Sequence, residues 1–111
     1  MRKIIALAAT VTILSTSAGM AFAGDAESGK KLFKKKCKAC HLLDDKKKVG
    51  PGLKGVFGRT SEIAGKLDEV GLQAWLKDPA AVNSKSKMAK LFKTKLKDDE
   101  ITDLIAYLKT L

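Results

Sequence analysis

Cys37-Lys38-Ala39-Cys40-His41 is the stretch on which the reading of this chain turns. Cysteines three positions apart at a helix end lie on one side of the backbone, so both sulfurs reach one edge of a flat ligand. The next residue, His41, is then carried beneath that ligand. The pattern is C-x-x-C-H, which predicts one covalently attached c-type haem. Cys37 and Cys40 would end as thioethers on the two vinyl groups, with the His41 imidazole on the iron.

Three other readings compete. A disulfide between Cys37 and Cys40 would close a tiny loop and leave His41 unexplained. A thiol–disulfide exchange protein uses C-x-x-C but needs a βαβ context, which a helical pattern lacks. A zinc site needs about four ligands, and beyond residue 23 the chain offers two Cys and one His. His41 is the only histidine, and Met88 is the only methionine after Met1 and Met20. Met88 is therefore the natural candidate for a protein ligand on the far side of the iron. A lone methionine more often fills a core, but this one stands in a polar stretch beside Lys85, Ser86 and Lys87. A lysine ligand and an open position are the alternatives.

Outward from the motif, the first 23 residues read as a secretory signal that is cleaved, leaving a single domain over 24–111. Arg2 and Lys3 precede an apolar run from Ile4 to Leu14, and Ala21-Phe22-Ala23 supplies small residues at a cleavage site. The run is well short of the ~20 residues a membrane-spanning helix needs. An uncleaved anchor is the rival reading, and Ser15, Thr16 and Ser17 count against it. Without residues 1–23 the formal charge falls from +10 to +8, because Arg2 and Lys3 leave. Nineteen of the twenty remaining cations are lysines, and Arg59 is the lone arginine. Such an excess suits an acidic protein partner or an anionic surface. Nucleic acid is disfavoured, since recognition motifs are absent and arginine is nearly so. Beyond residue 23 aromatic residues are few, namely Phe33, Phe57, Trp75, Phe92 and Tyr107. A domain of this size gains from a large apolar prosthetic group.

Three helices are predicted. Asp25 caps a helix that runs to about Lys36, with Gly29, Leu32 and Phe33 on one face. Asp68 caps a second from Glu69 to Lys77, with Leu72, Trp75 and Leu76 as its apolar stripe. Pro79 stops it and disfavours a helical Asp78. The third starts at Asp98, Asp99 and Glu100, whose charge suits a helix N-terminus. It follows the 3.6-residue period through Ile101, Leu104, Ile105, Leu108 and Leu111. A glycine-rich loop spans Lys46 to Arg59, and a polar, lysine-rich loop spans Ala80 to Lys90. Nothing alternates as strand. The fold class is all-α, with about three main helices and long loops wrapped around one haem.

Taken in order, these segments resemble the class I cytochromes c, including the mitochondrial type, over essentially all of residues 24–111. Gly24 to Phe33 is similar to that family's N-terminal helix, and Asp103-Leu104-Ile105-Ala106-Tyr107-Leu108-Lys109 to its C-terminal helix. Gly50-Pro51-Gly52-Leu53-Lys54-Gly55-Val56-Phe57-Gly58-Arg59 looks like its G-P-x-L-x-G-x-x-G-R loop. Trp75 to Pro79 resembles the segment that leads toward the axial methionine. The resemblance implies that the Pro51 carbonyl accepts from His41 Nδ1–H, and that Arg59 pairs with a haem propionate. It places Gly29, Phe33 and Tyr107 at the contact between the terminal helices.

The chain also departs from the family pattern. Only fifteen residues separate Arg59 from Trp75, which implies a more open propionate edge. Trp75 stands where the mitochondrial proteins carry a tyrosine near the methionine sulfur, and an indole donates but cannot accept. No Pro-Gly turn precedes Met88, which implies a looser grip on the iron.

The function so implied is a soluble, monomeric periplasmic electron carrier with His41/Met88 ligation, not an enzyme. Acidic redox proteins would dock at a ring of Lys34, Lys36, Lys38, Lys46, Lys48, Lys85, Lys87 and Lys90. A haem enzyme with a displaceable Met88 and a membrane-tethered electron-transfer module are the alternatives.

Overall fold

The structure is a computed structural model that describes residues 24–111. The signal segment expected over residues 1–23 lies outside the described residues. Helix α1 spans Ala26–Lys36 and starts where Asp25 accepts from the Glu27 N–H. Helix α2 spans Glu69–Lys77, with the Asp68 carboxylate accepting from the Gly71 N–H at 2.9 Å. Helix α5 spans Asp98–Leu108, and the Glu100 carboxylate accepts from the Lys97 N–H at 2.9 Å. Each device satisfies a backbone donor that the first helical turn leaves unpaired. These are the three helices the sequence predicts, although α5 ends at Leu108, before the Leu111 expected on its apolar face.

Two more are short. The stretch from Ala80 to Lys90, expected as a polar loop, is mostly helical: α3 spans Pro79–Val82 and α4 spans Lys87–Leu91. The reason is local. Asp78 caps α3 and Pro79 supplies its first turn, where a missing N–H costs nothing. Ser86, itself buried, caps α4 through the Ala89 N–H at 3.1 Å. Asp78 is extended, as a residue before proline tends to be.

A second difference is a hairpin. Strands β1 (Thr60–Ser61) and β2 (Gly65–Lys66) pair antiparallel, with Thr60 opposite Lys66 and Ser61 opposite Gly65. Two-residue strands are too short to show alternation, so periodicity had nothing to detect. The Ser61 hydroxyl holds the turn by accepting from the Ile63 and Ala64 N–H groups. The Asn83 side-chain amide donates to the Ile63 carbonyl at 3.2 Å and ties the hairpin to the α3–α4 connection. The short Arg59–Trp75 segment is thus folded back rather than extended.

The core lies between α1, α2 and α5. Phe33, Leu72, Trp75, Leu76, Ile101, Leu104, Ile105, Tyr107 and Leu108 form one buried cluster, joined by Val56, Leu67 and Leu96. Helices α1 and α5 meet at Gly29, where a Cβ would run into the Asp103 carbonyl oxygen and lie 2.9 Å from the Tyr107 Cβ. This close approach needs glycine. The Phe33 and Tyr107 rings meet 5.6 Å apart at 56°, a tilted pairing that aromatic edges and faces favour.

Candidate functional site

Helix α1 ends at Lys36, and its last turn continues through the two cysteines. The Cys37 N–H donates to the Phe33 carbonyl at 2.8 Å. The Cys37 carbonyl then accepts from both Cys40 N–H at 3.1 Å and His41 N–H at 3.0 Å. The motif is therefore wound into one tight turn that springs from the core helix, with both thiols free and half-buried. Burial, with the neighbouring Cys40, pushes the Cys37 thiol up to about 11. A thiol–disulfide exchange site works by the opposite shift, toward an accessible thiolate. Among the described residues, no group of three His, Cys, Asp or Glu side chains forms a metal site, so zinc finds no partners for this motif.

His41 is held from two sides. Its Nδ1 lies 2.9 Å from the Pro51 carbonyl oxygen. A carbonyl can only accept, so Nδ1 is the donor, and in the neutral ring the lone pair is then on Nε2, the arrangement a metal-binding imidazole requires. Gly50 packs so closely on the ring that a Cβ there would lie 2.8 Å from Nδ1 and 3.0 Å from Nε2. Nothing in the sequence pattern announces this second contact beyond a glycine before a proline.

The loop from Gly50 to Gly55 is bonded to the motif segment along its N–H groups. Gly50 donates to Cys40 (2.8 Å), Leu53 to Leu42 (2.9 Å) and Lys54 to Asp44 (3.2 Å). Arg59 grips the same loop by its carbonyls. Its Nη1 donates to Gly52 at 3.0 Å, and its Nη2 donates to Lys54. The resemblance implied a propionate partner for Arg59; in the structure its two terminal nitrogens are engaged with backbone.

Met88 sits on α4, half-buried against the central cluster that Cys37, Leu53 and Ala64 also border. Packing therefore does account for an apolar side chain here, contrary to the expectation from its polar neighbours. The indole Nε1–H of buried Trp75 donates to Met88 Sδ at 3.1 Å. The motif turn, with His41 on Pro51, and Arg59 are thus bonded to one loop, Trp75 and Met88 form a second bonded pair, and Cys37 and Met88 both pack against the same apolar cluster.

The donor set fits a c-type haem: two thiols on one turn, an imidazole with a free lone pair, and a thioether held by a hydrogen bond. The lysines named from the sequence, at 34, 36, 38, 46, 48, 85, 87 and 90, are all exposed.

Comparison with known proteins agrees with this chemistry. The family profile described as cytochrome c matches residues 26–111. Cytochrome c2 of Rhodospirillum rubrum is 38% identical over 136 aligned positions, covering 100% of this chain and 99% of its own. Cytochrome c of Nigella damascena is 34% identical, covering 78% of this chain and 90% of its own. The solved structure of cytochrome cH from Methylobacterium extorquens superposes with a TM-score of 0.69 at 37% identity, covering 79% of this chain and all of its own.

Proposed function

The chain belongs to the cytochrome c family, as a class I c-type cytochrome with one covalent haem c, and on that premise we propose that it is a soluble periplasmic electron carrier with His41 and Met88 as its axial ligands. The bound haem supplies a one-electron iron couple; the chain decides how that couple is held and reached.

Cys37 and Cys40 would hold the porphyrin edge through their sulfurs. His41 presents Nε2 while Pro51 holds Nδ1. A carbonyl acceptor there makes the imidazole a stronger donor. Met88 would offer the iron its thioether sulfur, which accepts from the Trp75 N–H. A thioether opposite imidazole favours a higher potential than two imidazoles would. Two side-chain ligands would also leave little to rearrange when charge changes, which suits a carrier rather than an enzyme.

The exposed lysines steer acidic redox proteins into brief contact. Export of the chain is read from residues 1–23, and among the described residues no helix is long and apolar enough to cross a membrane.

The observation that carries the reading is the His41 turn. A C-x-x-C-H segment springs from the core helix, with its imidazole oriented by Pro51 and its Nε2 left for iron. The test is the optical spectrum of the purified protein, oxidised and reduced, native and denatured. A haem that stays with the denatured chain, and a methionine-to-iron band lost on denaturation, are the expected results. A haem extracted by acidified solvent, or rapid cyanide binding by the native oxidised protein, would overturn the attachment or the Met88 assignment respectively.

A further inference from the structure

Arg59 is placed by the fold before it reaches anything else. Its carbonyl accepts from the Leu67 N–H at 2.8 Å, and the Gly58 N–H donates to the Leu67 carbonyl at 2.7 Å. Leu67 is itself buried in the core cluster. From this anchor, and half-buried, the guanidinium spans two carbonyls of the loop that meets His41, at Gly52 and Lys54. The Gly52 carbonyl is one peptide unit from the Pro51 carbonyl that lies 2.9 Å from His41 Nδ1. Gly50, at the start of the same loop, presses on the imidazole face.

We propose that Arg59 is a positioning residue for His41: its two-pronged grip on the Gly52 and Lys54 carbonyls holds the Pro51 carbonyl against Nδ1, and so sets the imidazole's orientation and donor strength. The proposal rests on His41 being the iron ligand. It differs from propionate pairing in what it asks of the side chain. Pairing with a carboxylate asks for a positive charge nearby. Bridging two carbonyls asks for a planar fork with two separated nitrogens, which arginine has and lysine lacks. Three of the loop's N–H groups, on Gly50, Leu53 and Lys54, are already spent on Cys40, Leu42 and Asp44. Arg59 supplies the hold on the opposite, carbonyl-bearing edge. Without it the Pro51 peptide is free to tilt, and a hydrogen bond weakens steeply with misalignment.

The haem-loaded protein and its Arg59→Lys and Arg59→Gln variants decide the matter by proton and nitrogen NMR. Arg59 is the only arginine beyond residue 23, so its guanidinium signals are identified without assignment. In the unaltered protein they should be split and protected, as in a side chain that cannot rotate; a single averaged signal overturns the proposal with no variant needed. Both variants should move the His41 ring resonances and speed Nδ1–H exchange by about tenfold. Arg59→Lys keeps the charge, so a raised potential in that variant comes from a weakened Pro51–His41 bond. Lysine restoring all of these signals, while glutamine does not, would overturn the proposal in favour of charge pairing. Unmoved His41 signals in both variants would also overturn it. Absence of haem-shifted His41 signals from the unaltered protein would overturn the ligand reading, and this inference with it.

Discussion

The Trp75 indole N–H donates to Met88 Sδ at 3.1 Å, joining a core residue of α2 to the one methionine of α4. A thioether sulfur has two lone pairs, so it can accept this bond and still offer one pair to a metal. The indole cannot reverse the bond, because it has no acceptor. The donor therefore always draws density from the sulfur, which weakens it as a partner for oxidised iron more than for reduced iron.

Trp75→Phe removes that donor and keeps an aromatic ring. The reduction potential should fall. If the bond differs by about 0.5 kcal/mol between the two oxidation states, the fall is ~20 mV at ~59 mV per tenfold for one electron. Voltammetry measures it directly, and an unchanged or raised potential would remove Trp75 from any role at the sulfur.

Gly29→Ala tests the meeting of α1 with α5. Helix propensity alone predicts a gain of up to ~1 kcal/mol in favour of alanine. Contact with the Asp103 carbonyl and with the Tyr107 Cβ predicts a loss instead, of about 1–3 kcal/mol for an overpacked site. The sign of the change in the denaturation midpoint separates the two.

Asp25 should make stability depend on acid pH. The Ser28 hydroxyl and then the Glu27 N–H hold its carboxyl below the ordinary 3.8. A carboxyl lowered in the folded state stabilises it above the unfolded value, and that stabilisation is lost as pH falls through the lower folded one. Asp25→Ala should therefore lower Tm at neutral pH, with the gap closing below about 3.8. A gap that stays constant into strong acid would exclude the carboxylate as its source.

Salt should slow electron exchange with an acidic redox protein. The exposed lysines act beyond contact only while unscreened, and the Debye length drops from ~30 Å at 0.01 M to ~8 Å at physiological ionic strength. Stopped-flow rates should fall by about tenfold or more over that range. Lys85→Gln with Lys87→Gln should flatten the dependence, and a rate insensitive to salt would dismiss the docking ring.

Much of this protein is legible in its sequence because much of it is local. Asp25, Asp68 and Pro79 mark helix boundaries through bonds that span a few residues, and the heptad-like spacing of Ile101, Leu104, Ile105 and Leu108 marks the buried face. The C-x-x-C-H turn is equally local, since its hydrogen bonds run among Phe33, Cys37, Cys40 and His41. Ser86, whose hydroxyl caps α4 by accepting from the Ala89 N–H, lies in the stretch expected as a polar loop, so that short helix is not legible.

The haem-attachment motif, the three principal helices and the candidate pair His41 and Met88 were thus determined by sequence alone. The tertiary structure decided how those candidates are held. Only packing brought Trp75 to the Met88 sulfur, set Met88 against the core, folded Thr60–Lys66 into a hairpin and turned the Arg59 fork onto Gly52 and Lys54. Each of those contacts depends on where the hairpin, the glycine loop and α4 come to rest against the α1–α2–α5 core. Short-range propensity has no term for partners that meet only after the chain has closed on itself.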